Sequence, residues 1–252
     1  KNYFNLWENK FLHELDKYSV NDLKNLSKII HLLSSTFYDF YTKMFCQSKP
    51  KYLVFKETLI EINAYNYYNL FKDIYFIQII RDPRINFLSL IKGISDYYSK
   101  KNENVNTILM GLIYRMKLSM NAAKNNLNLI GDKRYKVIKY ENLVSNKTKT
   151  LSEISNWLNL DMEKMLEYPT LFSKRESSNS FYNKNVNFVF DNNNNGLSKI
   201  EDKYISIIEF FLKNEMTYFQ YDEVMTLEKQ AKYMGEFYNW SNYQYFYNDF
   251  YK

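Results

Sequence analysis

Apolar positions recur every three or four residues through the first 48 residues: Phe4, Trp7, Phe11 and Leu15, then Leu23, Leu26, Ile30 and Leu33. This spacing predicts helices with one buried face. Pro50 closes the region. The pattern then changes. KYLVF at 51–55 is a short apolar run that reads as a buried strand, closing at Lys56, Glu57 and Thr58, and helical spacing resumes to about Leu70. DIYFIQII at 73–80 is the strongest strand signal in the chain. Its continuous apolar character predicts a parallel strand covered on both faces. Asp82 and Pro83 end it, and Pro83 suits the first turn of a following helix.

Helical spacing over 104–128 puts Ile108, Leu112, Met116 and Met120 on one face. Gly131 and Asp132 mark a turn, YKVIKY at 135–140 reads as a third strand, and 147–159 is helical with Leu151, Ile154 and Leu158 inward. Residues 172–196 are polar, include DNNNNG, and predict a long loop of the kind used for lids or binding. A helix over 198–215 follows. Strands alternating with helices predict an α/β fold, three-layer αβα around a parallel sheet. The expected organisation is a single domain over 1–252. Residues 222–252 form an aromatic-rich tail packed on that domain or against a second copy of the chain.

Composition narrows the function classes. Of 252 residues, 46% are hydrophobic and 25% charged, which excludes a disordered or collagen-like chain. The 34 Lys+Arg and 28 Asp+Glu give 34 − 28 = +6, spread without a basic stripe or stacking motif. That argues against a nucleic-acid partner. No apolar run approaches the roughly 20 residues of a bilayer span, so no membrane span is expected in this chain. The single cysteine, Cys46, makes neither an internal disulfide nor a cysteine zinc site. It fits a reducing, cytoplasmic compartment.

The chemistry concentrates in FIQIIRDPRINFLSLIKG, residues 76–93. A buried strand delivers Arg81 to its C-terminal end, where open parallel sheets bind ligands. Eight residues on, Ser89 falls about two turns into the next helix. A guanidinium fork suits phosphate oxygens, and a Ser hydroxyl adds a donor. The plainer alternative is a surface Arg–Asp pair after a strand.

With this segment the chain resembles the sulfotransferases that use 3′-phosphoadenosine 5′-phosphosulfate (PAPS). In that family a strand, Arg-Asp-Pro-Arg and a Ser eight residues after the first Arg bind the donor's 3′-phosphate. Arg81, Asp82, Pro83, Arg84 and Ser89 stand in those places. YKVIKYENLVSNKTKTLSEISNWLNL at 135–160 resembles the family's strand, Tyr-Glu-Asp-Leu turn and helix. There Tyr140 fills the position that lies against adenine, and Asn142 replaces the usual Asp. Lys56 matches a Lys near the transferring sulfuryl group, where an ammonium stabilises charge on the bridging oxygen. The small-molecule branch has a catalytic His two residues later; this chain has Thr58. Glu57, with Glu61, His13 and His31, remains a candidate base by chemical type. Ser177, Ser178, Asn179 and Ser180, preceded by Lys174 and Arg175, fall where many members carry Asn-Ser-Ser against the donor or the acceptor.

The family also opens with a strand and a Gly-rich loop that cradle the 5′-phosphosulfate. Such a loop needs glycine for close backbone approach, and the first glycine here is Gly93. The element is expected to be cut off, supplied by another chain, or lost. A start without Met favours the first. The resemblance implies transfer of a sulfuryl group from PAPS to a hydroxyl or amine of a small molecule or carbohydrate, without a metal. A non-catalytic sulfotransferase-fold protein acting through protein contacts is the alternative class. A nucleotide-binding kinase of the same broad fold is the third.

Overall fold

The helical spacing at the start of the chain produces α1 (Asn2–Leu15), α2 (Val20–Leu23) and α3 (Leu26–Phe45). The computed structural model describes residues 2–45, 50–94, 105–162, 170–171, 174–175 and 196–237. It divides into two compact units, Lys1–Ile74 and Tyr75–Lys252.

In the first unit α1 packs on α3. Trp7 stacks on Phe11 with ring centres 5.6 Å apart and meets Phe37 edge-on, and Phe37 stacks on Tyr41. Ser19 and Asp22 exchange side-chain and backbone hydrogen bonds at the start of α2, a capping box that satisfies two amides. Lys28 and Ser19 together pull the Asp22 carboxyl down to about 2. The expected strand at 51–55 is absent. These residues run irregularly, with Val54 84% and Phe55 61% exposed. A short apolar run becomes a strand only when a neighbour takes its backbone groups, and this one pairs with none. A 3-10 turn, Ile60–Asn63, then leads into α4 (Ala64–Leu70).

The second unit is built on β1 (Phe76–Ile80) and β2 (Tyr135–Lys139), which pair in parallel from Phe76↔Tyr135 to Ile80↔Lys139. Between them run α5 (Pro83–Ile94) and α6 (Val105–Leu129). Parallel neighbours need such a crossover. β1 is covered on one face, not both. Phe76, Gln78 and Ile80 are buried, whereas Ile77 and Ile79 are 43% and 53% exposed. Its inward Gln78 donates to the Ser119 carbonyl of α6, accepts from the Tyr135 hydroxyl, and so ties strand to helix.

After β2 come α7 (Tyr140–Ser145) and α8 (Lys147–Trp157), a short antiparallel pair of β3 (Thr170–Leu171) and β4 (Lys174–Arg175), then α9 (Asp202–Tyr218) and α10 (Leu227–Phe237). α6 and α9 hold the centre of the core, with Leu109, Ile113, Met120, Ile207, Ile208 and Leu212 wholly buried. Met234 and Phe237 of α10 join it, Phe237 against Phe211. The described residues thus form a mostly helical α/β structure with a small parallel sheet.

Candidate functional site

The turn after β1 carries two arginines with different surroundings. Asp82 accepts from the Arg84 backbone N–H at 2.9 Å, from its Nε at 3.0 Å and from its Nη2 at 2.7 Å. Arg84 Nη1 donates to Glu209 of α9 and, at 2.8 Å, to the Asp222 carbonyl. Burial opposes the Arg84 charge, but Asp82 and Glu209 outweigh it and hold its pKa above the usual value. Glu209, fully buried, also accepts from the Val224 and Met225 amides and from Gln230. A buried carboxylate is tolerable when its lone pairs are filled this way. The network anchors the strand-end turn to α9 and to the segment that follows it. The surface Arg–Asp pair is therefore corrected: Asp82 is bound to Arg84, in the interior.

Arg81 is presented differently. Its guanidinium lies 4.6 Å from the centre of the Tyr140 ring, within cation–π range. Its Nε is buried without a hydrogen-bond partner. No described residue forms an ion pair or hydrogen bond with the guanidinium. The backbone beneath it is fixed. The Asp82 N–H donates to Glu141 Oε1 at 2.8 Å, and the Tyr221 hydroxyl donates to Glu141 Oε2 at 2.9 Å. Burial, and then the Glu141 charge, raise the Tyr221 phenol far above its ordinary range, so it stays a donor. Lys139 donates to the Gln220 carbonyl and lies 4.4 Å from the centre of the Tyr221 ring. Ile80 and Lys139 line a groove of about 430 Å3 with Asn142, Glu153 and Tyr218.

Of the residues expected from sequence, Arg81 and Tyr140 are brought into contact. Ser89 lies two turns into α5, half-buried. Lys56 and Glu57 belong to the first unit, on its exposed irregular stretch rather than at a strand end. There the Glu57 carboxylate accepts from the Thr58 amide at 2.8 Å and from its hydroxyl at 3.2 Å. Asn179 and Ser180, with Ser177 and Ser178, lie outside the described residues. Among the described residues no group of His, Cys, Asp or Glu is placed to hold a metal ion, and no helix is long and apolar enough to cross a membrane.

Sequence reasoning gave no role to Glu141, Glu209 or Tyr221. Glu209 did leave a signal: it is a lone carboxylate inside the apolar run ISIIEFFL, and such a group needs buried partners. Glu141 stands next to Tyr140 in the turn that carries the resemblance. Nothing local marks Tyr221.

Residues 3–164, more than half of the chain, match a family model described as the sulfotransferase family. The matched span contains Arg81, Asp82, Ser89, Tyr140 and Glu141, and also Lys56 and Glu57. No curated protein and no solved structure matches the chain. The family match and the cation presented at the end of a parallel strand agree, and the chain belongs to the sulfotransferase family.

Proposed function

We propose that the chain takes part in transfer of a sulfuryl group from PAPS to a hydroxyl or amine of a small molecule or carbohydrate. The observation that carries this reading is Arg81: a half-buried cation with an unpartnered Nε, beside an aromatic ring, at the C-terminal end of β1. A desolvated donor with no acceptor among the described residues fits an anionic ligand. Arg81 and Ser89 would hold the 3′-phosphate, with Tyr140 on the adenine side and Asn179 and Ser180 near the donor or acceptor.

PAPS supplies an activated sulfuryl group. An acceptor oxygen or nitrogen forms a bond to sulfur as the bond from sulfur to the bridging phosphate oxygen breaks. The acceptor proton leaves to a base, and adenosine 3′,5′-bisphosphate departs. Positioning and charge stabilisation carry most of such a step. Lys56 is proposed, on the sequence resemblance, to stabilise the departing bridging oxygen, and Glu57, on chemical type alone, to take the proton. The finer architecture we propose is the three-layer, P-loop-like sulfotransferase fold, supported by the parallel β1–β2 pair and its helical crossover. A cytoplasmic site of action rests on the single cysteine.

Calorimetry with adenosine 3′,5′-bisphosphate tests the reading. Losing a charge-assisted hydrogen bond costs about 1.5–3 kcal/mol, so Arg81→Ala should weaken binding roughly ten-fold or more. Equal affinity in Arg81→Ala and wild type would overturn it.

A further inference from the structure

The resemblance assigns Tyr140 to the adenine. The geometry points to an additional task, and we infer that Tyr140 is a positioning residue for the 3′-phosphate, acting through Arg81. This inference rests on the nucleotide reading above and asks how that site achieves its selectivity.

The register supplies the arrangement. The pairing of β1 with β2 ends at Ile80↔Lys139, so Arg81 and Asp82, just past β1, leave the sheet beside Tyr140 and Glu141, the first two residues of α7. There the guanidinium meets the phenol ring, 4.6 Å from its centre. An arginine side chain is long and rotamer-rich, and holding it still for a ligand costs entropy. Two restraints limit that cost here. The Glu141 carboxylate accepts from the Asp82 amide and fixes the backbone just past Arg81, while the Tyr140 ring fixes the far end of the side chain.

The ring is also a chemically suitable restraint. It attracts the cation through its π face without occupying any guanidinium N–H. A carboxylate in the same place would hold the arginine equally well but would fill the positions an incoming anion needs. That is the fate of Arg84, three residues on, whose donors go to Asp82, Glu209 and the Asp222 carbonyl. Arg81 is oriented and still unsatisfied. The buried, unpartnered Nε is the sign of it. Tyr140 therefore adds to selectivity for nucleotides bearing a 3′-phosphate over those that lack it.

The test compares two nucleotides that differ at that one position, adenosine 3′,5′-bisphosphate and adenosine 5′-monophosphate, by calorimetry on the intact protein. Tyr140→Leu removes the ring and should weaken the bisphosphate about three- to ten-fold more than it weakens the monophosphate, the loss common to both being that of the adenine contact. Tyr140→Phe keeps the ring face and should keep the preference. On an Arg81→Ala background, Tyr140→Leu should weaken the two nucleotides equally, because its 3′-phosphate-specific part acts through Arg81. If thermal melting shows that Tyr140→Leu does not fold, Tyr140→Gln replaces it, since Tyr140 is half-buried. Equal weakening of both nucleotides would make Tyr140 a base contact only and overturn the inference. So would unchanged affinity for both, or an extra loss for the bisphosphate that persists on the Arg81→Ala background. A wild-type protein that binds the two nucleotides alike would instead remove the 3′-phosphate site, and with it the reading on which the inference stands.

Discussion

Two sides of one turn can be compared directly, since Arg81 and Arg84 share a sequence motif and leave the end of the same strand. On the Arg84 side each guanidinium nitrogen has an acceptor. The Arg84 side chain is 4% exposed, between Asp82 and the fully buried Glu209, and Glu209 in turn collects the Val224 and Met225 amides. On the Arg81 side the cation has an aromatic ring, one buried N–H and no acceptor among the described residues. A saturated cation belongs to the architecture, whereas an oriented and unsaturated one is available to a ligand. The first side holds the second in place, because Asp82 gives its carboxylate to Arg84 and its amide to Glu141.

The comparison is broken most severely at Glu209. Removing one partner of a buried pair leaves the other charge uncompensated and typically costs about 3–5 kcal/mol. Glu209→Ala should therefore lower the melting temperature sharply. A melting temperature within a degree or two of wild type would show that Arg84 finds another acceptor and that the network is not what fixes the turn.

Tyr221 tests the link between the two sides. Its hydroxyl donates to the Glu141 carboxylate, and a hydrogen bond to a charged group contributes about 1.5–3 kcal/mol. Tyr221→Phe should lose stability of that order near neutral pH. The pH dependence has a definite sign. The phenol titrates higher in the folded protein than in the unfolded chain, where it titrates near 10. The folded state then keeps a proton that the unfolded state releases. This contribution is complete below pH about 10 and falls away as the pH rises beyond it. Wild type should lose stability more steeply than Tyr221→Phe above pH about 10 in denaturant titrations. Parallel alkaline profiles would contradict the buried donor role.

The smallest effect on stability is expected at Arg81. Among the described residues its guanidinium makes no hydrogen bond that holds the fold together, and its buried Nε is unsatisfied. Arg81→Ala should shift unfolding free energy by no more than about 0.5 kcal/mol, the range of changes away from structural features. A loss near that of Glu209→Ala would erase the distinction between the two arginines.

Much of the second unit was legible in sequence. DIYFIQII and YKVIKY became paired strands, Pro83 opened a helix, and the 104–128 spacing became α6, because apolar periodicity and backbone punctuation act locally. KYLVF carried a similar signal and formed no strand. A run of five residues states a preference, while the ladder that satisfies its amides must come from elsewhere in the chain. The exposed Ile77 and Ile79 make the same point for coverage: continuous apolarity permits burial of both faces, but the elements packed around the strand decide it.

For the candidate site, sequence determined the ingredients. It placed Arg81 at a strand end, Ser89 two turns into the next helix and Tyr140 at the end of a second strand, since strand and helix periods set those positions over short distances. The contact between Arg81 and Tyr140 required the register of two strands separated by 54 residues, from Ile80 to Tyr135. Saturation of Arg84 required Glu209 from a helix beyond both. Arg-Asp-Pro-Arg contains two chemically identical cations, and nothing within the motif says which one is consumed by the fold. Only tertiary structure decides that, because acceptors reach Arg84 from distant segments, whereas Arg81 receives a ring that orients it and, among the described residues, no acceptor for its donors.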